Sequence, residues 1–319
     1  VTTEHQTPAT DTRALLADRL SSDPQLWELL GFTGQDLVDV RRWTDAVLAD
    51  DTPSGEAARQ RVVDHVHALS ALVGDFSLGA AIFGSMEEES YGLEDAGHGY
   101  GTLAILALAA AVGPIRAFHV ERGIPDQTSW ETLADMGQQV RVHRETYGEF
   151  GLHTYSWLCT AWCGALYGLG RLQFNLYRYL PRDGAAGGPE QRWVLSTHIP
   201  GTGPLTPAAV DASFSRATTF FAEHFPEYPT TEFYCSSWLL DPRMARLDPD
   251  SNTARFQARW AIEGEGRPDS SGAIFFLWRR RGEVDPASLP TDSSLRRLVV
   301  GEITAGRPWC SCAGLIPQV

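Results

Sequence analysis

Lysine is absent from this 319-residue sequence: all 26 basic residues are arginine. Its absence excludes a P-loop lysine, a Schiff-base lysine and a pyridoxal-phosphate lysine. No GxSxG stretch occurs, which removes the nucleophile elbow of the common serine hydrolases. Five cysteines, an odd number in a chain this long, do not make a secreted disulfide framework. Cys159 with Cys163, and Cys310 with Cys312, lack CxxC spacing and have no histidine at ligand distance in sequence, so no metal site is expected. Positive charge is short overall: the net charge of -14 argues against wrapping nucleic acid or lying on an anionic membrane. Long apolar runs are missing too. The longest, Thr102 to Val112, stops at Gly113-Pro114, too short to span a bilayer, and predicts a buried core helix. The first twelve residues are polar and show no secretory hydrophobic segment, so a cytoplasmic protein is expected.

What is present fits two domains by length, with 43% hydrophobic residues to build ordinary cores. From Asp11 to about Arg144 the apolar residues recur at helical spacing and strand signals are nearly lacking. Val62, Val63, Val66, Leu69, Leu72 and Val73 form one such stripe, with Ser54 as its N-cap, and Trp130, Leu133, Met136 and Val140 another. About six helices are expected over residues 1–150. One irregular stretch, Gly84 to Gly101, carries Glu87, Glu88, Glu89, Glu94, Asp95 and His98. These can meet an amine or a cation, or form a solvated surface.

Near Gly151 the pattern changes, and residues 151–319 are expected to form a second domain. His153 to Leu166 reads as a last helix. Arg171 to Leu180 then alternates, with Leu172, Phe174 and Leu176 on one face and Arg171, Gln173, Asn175 and Tyr177 on the other. The glycine-rich stretch Pro181 to Gln191 joins it to a second strand, Trp193 to Ile199, as a hairpin with a long loop. Further strands are expected at Glu232 to Leu240 and Gly272 to Arg279, with a weaker one between Trp309 and Ile316. A helix capped by Ser251 is expected at Asn252 to Trp260.

Between Ile199 and the next helix lies the stretch the reading turns on. The loop carries Gly201 and Gly203, and the helix start is well marked: Thr206 is an N-cap and Pro207 fills the first helical position, where a missing N–H costs nothing. Val210, Phe214, Ala217, Phe220 and Phe221 supply the buried face. The first-turn amides and the positive end of the helix dipole point back at the loop, and glycine lets main chain approach a ligand closely. Strand, glycine loop and helix start together make an anion site, with phosphate the natural guest. A plain βα turn has the same letters, and the loop does not spell GxGxxG.

It spells His198-Ile199-Pro200-Gly201-Thr202-Gly203, which resembles the Gln/Arg-x-x-Gly-x-Gly/Ala loop of the GNAT acyltransferases, with histidine in the first place. Leu169-Gly-Arg-Leu-Gln-Phe174, Ser237-Trp-Leu-Leu-Asp-Pro242 and Asp250-Ser-Asn252 likewise resemble the GNAT-like C-terminal domain of bacterial two-domain N-acyltransferases. The resemblance covers about residues 150–319, with a vaguer likeness of the helical half to the companion N-terminal domain. It implies an α+β protein: an all-α N-terminal domain, then a GNAT-like mixed β-sheet domain flanked by helices. It also implies transfer of an acyl group, acetyl by default, from coenzyme A to an amine of a small molecule or peptide. Acetyl-CoA, or another acyl-CoA, would then be the co-substrate.

The same resemblance assigns the cofactor's diphosphate to the backbone of His198, Ile199, Gly201, Thr202, Gly203, Leu205 and Thr206. Asn252 and Arg255 lie on the later helix, and Arg216, Arg255 and Arg259 are candidates for the outer phosphates. His198 can bind a phosphate, act as a base near neutral pH, or simply tether the loop. In GNAT folds the neighbouring strand splays from the acyl-CoA strand. That implies that Cys235 or Ser237 touches the acyl group or acceptor, against the reading of a polar patch satisfied by the sheet. The tyrosine that commonly protonates the leaving thiolate has no counterpart: the positions open to it hold Phe256, Arg259 or Trp260. Two other readings therefore stand beside the transferase. One is a non-catalytic acyl-CoA-binding or assembly module of the same fold. The other is a hydrolase using His198 and Ser237.

Overall fold

The computed structural model describes residues 11–21, 23–76, 91, 99–180 and 191–318. The six acidic and histidine candidates of the stretch at 84–101, and residues 181–190 of the hairpin loop, lie outside these. The chain divides into two units, Val1–Ala165 and Leu166–Val319.

The described part of the first unit is helical: α1 (Thr12–Leu20), α2 (Leu26–Leu29), α3 (Gly34–Ala49), α4 (Pro53–Ala71), α5 (Thr102–Ala110), α6 (Val112–Glu121), α7 (Asp126–Leu133), α8 (Asp135–Tyr147) and α9 (Tyr155–Trp162). There are more helices than the periodicity suggests. The stripe from Trp130 to Val140 breaks at Ala134, and the apolar run from Thr102 breaks at Ala111. The N-cap of α4 is Thr52, whose hydroxyl accepts the Gly55 N–H, and not Ser54; Pro53 takes the first helical position. Every residue of α5 is buried, and the Trp162 indole of α9 donates to the Leu108 carbonyl. The stretch Thr102–Glu121 is long and apolar enough to cross a membrane, but 67% of it is buried inside the unit, as in a core helix. Helix α9 packs on α5 and α7 and so belongs to this unit, although the change of sequence character begins at Gly151.

The second unit is a six-stranded sheet with helices: β1 (Leu166–Leu169), β2 (Leu172–Tyr179), β3 (Arg192–His198), α10 (Pro207–His224), β4 (Glu232–Ser237), a 3-10 turn at Trp238–Leu240 and another at Pro242–Arg246. Then come α11 (Asn252–Gln257), β5 (Ala261–Pro268), α12 (Ser270–Trp278), α13 (Ser294–Thr304) and β6 (Cys310–Pro317). The order across the sheet is β1-β2-β3-β4-β6-β5; β3 and β4 are parallel, and every other pair is antiparallel. This is the expected mixed sheet flanked by helices, with the hairpin of β2 and β3 in place.

Four elements differ from the sequence reading. Gly272 to Arg279 is helix α12 and not a strand, because Asp269 caps it by accepting the Gly272 N–H at 2.9 Å. A short apolar run carries no periodicity that separates a buried helix from a buried strand. Strand β4 stops at Ser237, whose hydroxyl accepts the Leu239 N–H and starts the 3-10 turn. Strands β1 and β5 are additional. The first is four residues long and turns into β2 through Gly170, at φ 90°. The second, Ala-Ile-Glu-Gly-Glu-Gly-Arg-Pro, is an edge strand whose charges and glycines hide its pairing with β6.

On one face of the sheet the Phe214 ring of α10 meets Phe174 of β2 at 5.7 Å and Phe233 of β4 at 4.6 Å. Farther along α10, Phe220, Phe221 and Phe225 enclose Tyr167 of β1. A second cluster joins Trp238, Leu239, Met244, Val299 and Trp309, with Ile199 and Leu205 packed against it. Buried Asp241 pins the start of β6 by accepting the Cys310 N–H at 2.9 Å while it holds the Arg243 guanidinium.

Candidate functional site

The site begins where the sheet comes apart. Strands β3 and β4 pair only at Leu195↔Phe233 and Ser196↔Tyr234. Beyond that point β3 continues to His198 on the β2 side, and β4 continues to Ser237 on the β6 side. A gap therefore opens between Thr197-His198 and Cys235-Ser237. The Thr197 hydroxyl, on the α10 face beside this gap, is buried and has no hydrogen-bond partner among the described residues. Leaving such a group unmet costs about 1–3 kcal/mol.

At the end of β3 the chain enters the glycine loop. Ile199 and Leu205 are its anchors in the second apolar cluster, and Gly201 to Pro204 between them are exposed. Thr206 caps α10 by accepting the Ala209 N–H, and Pro207 follows at the first helical position. Gly203 holds φ at 139°, a conformation that side chains disfavour. Among the described residues no acceptor meets the backbone N–H of Gly201, Thr202, Gly203, Leu205 or Thr206. These amides are thus unspent, beside the N-terminal end of the α10 dipole.

Two arginines not singled out in the sequence bracket this loop. The Arg171 guanidinium donates to the carbonyls of Pro200 (2.8 Å), Gly203 (2.6 Å) and Pro204 (3.2 Å). Arg279, in the left-handed region at φ 54° just past α12, lies so close to the loop that a Cβ on Gly201 would sit 3.1 Å from its Nη2. The sequence signal for Arg171 is its place in the Leu169-to-Phe174 word. Some thirty positions separate it from the loop, and the antiparallel pairing of β2 with β3, Gln173 opposite His198, brings them together.

His198 is half-buried, its Nε2 2.6 Å from the Asn175 Oδ1 of β2, and burial pushes its pKa down to about 4. It is therefore a neutral imidazole near pH 7 and no fixed cation for a phosphate. Cys235 is fully buried, and burial drives its thiol far above the ordinary range, so it supplies an apolar wall and no thiolate. Ser237 is half-buried at the end of β4. Its oxygen accepts the Leu239 N–H, which leaves its own proton to give.

Arg255 pairs with Asp250 at 2.5 Å and Arg259 with Asp211, while Arg216 is exposed on α10. No hydrogen bond or ion pair among the described residues joins Asn252 or Arg255 to the loop. Phe256 and Trp260 pack together, and Trp260 packs against Phe214, so two of the three tyrosine-free positions are core.

Two family models cover nearly all of the chain. The N-acyltransferase N-terminal domain matches residues 22–164 and the GNAT-like C-terminal domain residues 166–316. No curated protein matches the sequence. Among solved structures the chain is similar to an acyltransferase in complex with decanoyl-CoA and teicoplanin, at 30% identity over 92% of this chain and 87% of that one, with a TM-score of 0.75. It is similar to an acyltransferase mutant in complex with octanoyl-CoA, at 30% identity over 94% and 88%, TM-score 0.79. A third similar structure, at 28% identity over 96% and 99% and TM-score 0.72, is an acyltransferase in complex with CoA and 10C-teicoplanin.

Proposed function

Since this chain belongs to the two-domain GNAT-like N-acyltransferases and is an acyl-CoA-dependent enzyme, we propose that it transfers an octanoyl-to-decanoyl chain, not acetyl, to an amine on a peptide or glycopeptide. The observation that carries the reading is the set of unmet amides at Gly201, Thr202, Gly203, Leu205 and Thr206, in the loop that follows β3 where it parts from β4. A diphosphate seated there directs the pantetheine arm into the gap between the ends of β3 and β4 and the thioester toward Ser237. The chain length and the acceptor type follow the ligands of the similar enzymes.

The chemistry requires a held thioester, a neutral amine and somewhere for one proton to go. The amine nitrogen attacks the thioester carbon, the carbon–sulfur bond breaks, and the proton lost by the amine ends on the sulfur of free coenzyme A. His198, oriented by Asn175 and kept uncharged by burial, is too weak a base to hold that proton and stays a neutral hydrogen-bonding group beside the loop. Ser237 donates to the oxygen or sulfur that gains charge, in the place of the missing tyrosine.

A thermal-shift series over acyl-CoAs of graded length tests the reading. A ligand at one hundred times its dissociation constant adds about 2.7 kcal/mol of native-state stability. The shift is expected to peak at octanoyl to decanoyl and to disappear in Gly203→Val. A maximum at acetyl-CoA refutes the chain length, and an undiminished shift in Gly203→Val refutes the loop. Free-thiol release on adding an amine-bearing glycopeptide separates the remaining readings: release without any acceptor identifies a hydrolase, and no release at all a binding module.

A further inference from the structure

We propose that Arg171 is the positioning residue of the glycine loop, and that the counter-charge it lacks among the described residues is the diphosphate of the acyl-CoA. This rests on the reading of the loop as the phosphate site.

The arginine is set in place by its own main chain. It occupies the two-residue turn between β1 and β2 after Gly170, and the buried Ser213 hydroxyl of α10 accepts its N–H at 2.8 Å and that of Leu172 at 3.3 Å. The same hydroxyl donates to the Ala209 carbonyl in the first turns of α10. A Cβ on Gly170 would sit 3.0 Å from that oxygen, so glycine is what lets the turn close on the helix. From there the side chain runs to the loop, where Nη1 takes Pro200, Nη2 takes Gly203, and Nε is shared between Gly203 and Pro204 at 3.1 and 3.2 Å.

Holding carbonyls inward decides where the amides point. In a trans peptide the C=O and the N–H of the next residue are antiparallel. With the Pro200 carbonyl on the guanidinium, the Gly201 N–H points away from it; with the Pro204 carbonyl there, the Leu205 N–H does. The third captured carbonyl, that of Gly203, precedes Pro204, whose nitrogen has no hydrogen to present. One planar fork therefore orients both ends of the loop as an anion receptor before any ligand arrives, which is the condition for binding without a reorganisation cost.

The charge makes the second half of the argument. Arg171 is half-buried, burial lowers its pKa, and among the described residues it meets carbonyls only and no carboxylate. Elsewhere in this acidic chain Arg144, Arg192, Arg243 and Arg307 all hold carboxylates. A half-buried cation behind the Gly201 and Leu205 amides raises the potential on the face they point to, where an anion would complete the pair.

The test compares a medium-chain acyl-CoA with the same acyl group on pantetheine, which has no diphosphate. The quantity read is the ratio of the two kcat/KM values in wild type, R171Q and R171K. The ratio is expected to fall at least ten-fold in R171Q, through KM for the acyl-CoA and not through kcat. R171K keeps the charge but cannot span three carbonyls, and should fall between. A variant that slows both thioesters equally shows a merely structural arginine and overturns the proposal, as does an unchanged ratio. Should R171Q not fold, R171K alone must still lower the ratio at least three-fold. A wild-type enzyme that treats both thioesters alike removes the phosphate reading itself, whereas a strong wild-type preference that survives R171Q removes only the role of Arg171.

Discussion

Ser237, Cys235 and His198 show how position in a strand decides what a side chain can do. Ser237 keeps a donor proton because the Leu239 N–H occupies only its oxygen, so Ser237→Ala should lower kcat on the order of a hundred-fold while leaving KM for acyl-CoA nearly unchanged. Thiol release under saturating acyl-CoA measures it; a wild-type kcat removes Ser237 from the chemistry. Two residues earlier, full burial makes Cys235 inert. Alkylation followed by mass spectrometry should label the half-buried Cys310 in the native protein and reach Cys235 only on unfolding. Of these three groups Cys235 and Ser237 stand two residues apart, which in any strand puts them on one face. That spacing could not reveal that one is sealed and the other open, since that depends on β4 leaving β3 after Tyr234.

At the scale of elements, α10 links the core to the loop. Its Phe214 ring is wedged among Phe174, Phe233 and Trp260, and Phe214→Ala should cost the second unit about 3–5 kcal/mol in urea unfolding. Thr206→Ala removes only a cap, for about 1 kcal/mol, and should weaken acyl-CoA binding together with stability. The start of α10 was legible in the sequence because Thr206, Pro207 and the two glycines act on their immediate neighbours. Helix α12 was not: Ala273 to Leu277 is equally apolar in either conformation, and the cap at Asp269 had to outweigh the pattern. The error reached the site, because ending a strand at Arg279 conceals that a helix terminus sets this arginine beside Gly201. Arg171 was hidden for a different reason, being a local residue of one hairpin whose work is done on another segment.

For the whole molecule, the buried histidines set the response to acid. His119, His143 and His198 are each held near pKa 4, mainly by burial, against about 6.5 for the free side chain. The unfolded chain therefore binds more protons than the native one between those values. Stability is complete above pH 6.5 and falls as the pH drops toward 4, by up to about 1.4 kcal/mol per pH unit for each histidine. Asp50 and Glu302, held near pKa 2 by hydrogen bonds from Tyr91 and Arg307, extend the loss below that range. Urea midpoints measured from pH 7 to 4.5 should decline steadily, and a flat profile contradicts the burial of these rings.

The sheet order carries one more consequence, for synthesis. Strand β6 lies between β4 and β5, yet it is translated after both. Until residue 317 clears the ribosome, one rim of β4 has no neighbour and β5 has nothing to lie against. A nascent chain stalled before Cys310 should therefore be cut by protease across β4 and β5, while its helical first unit is already resistant.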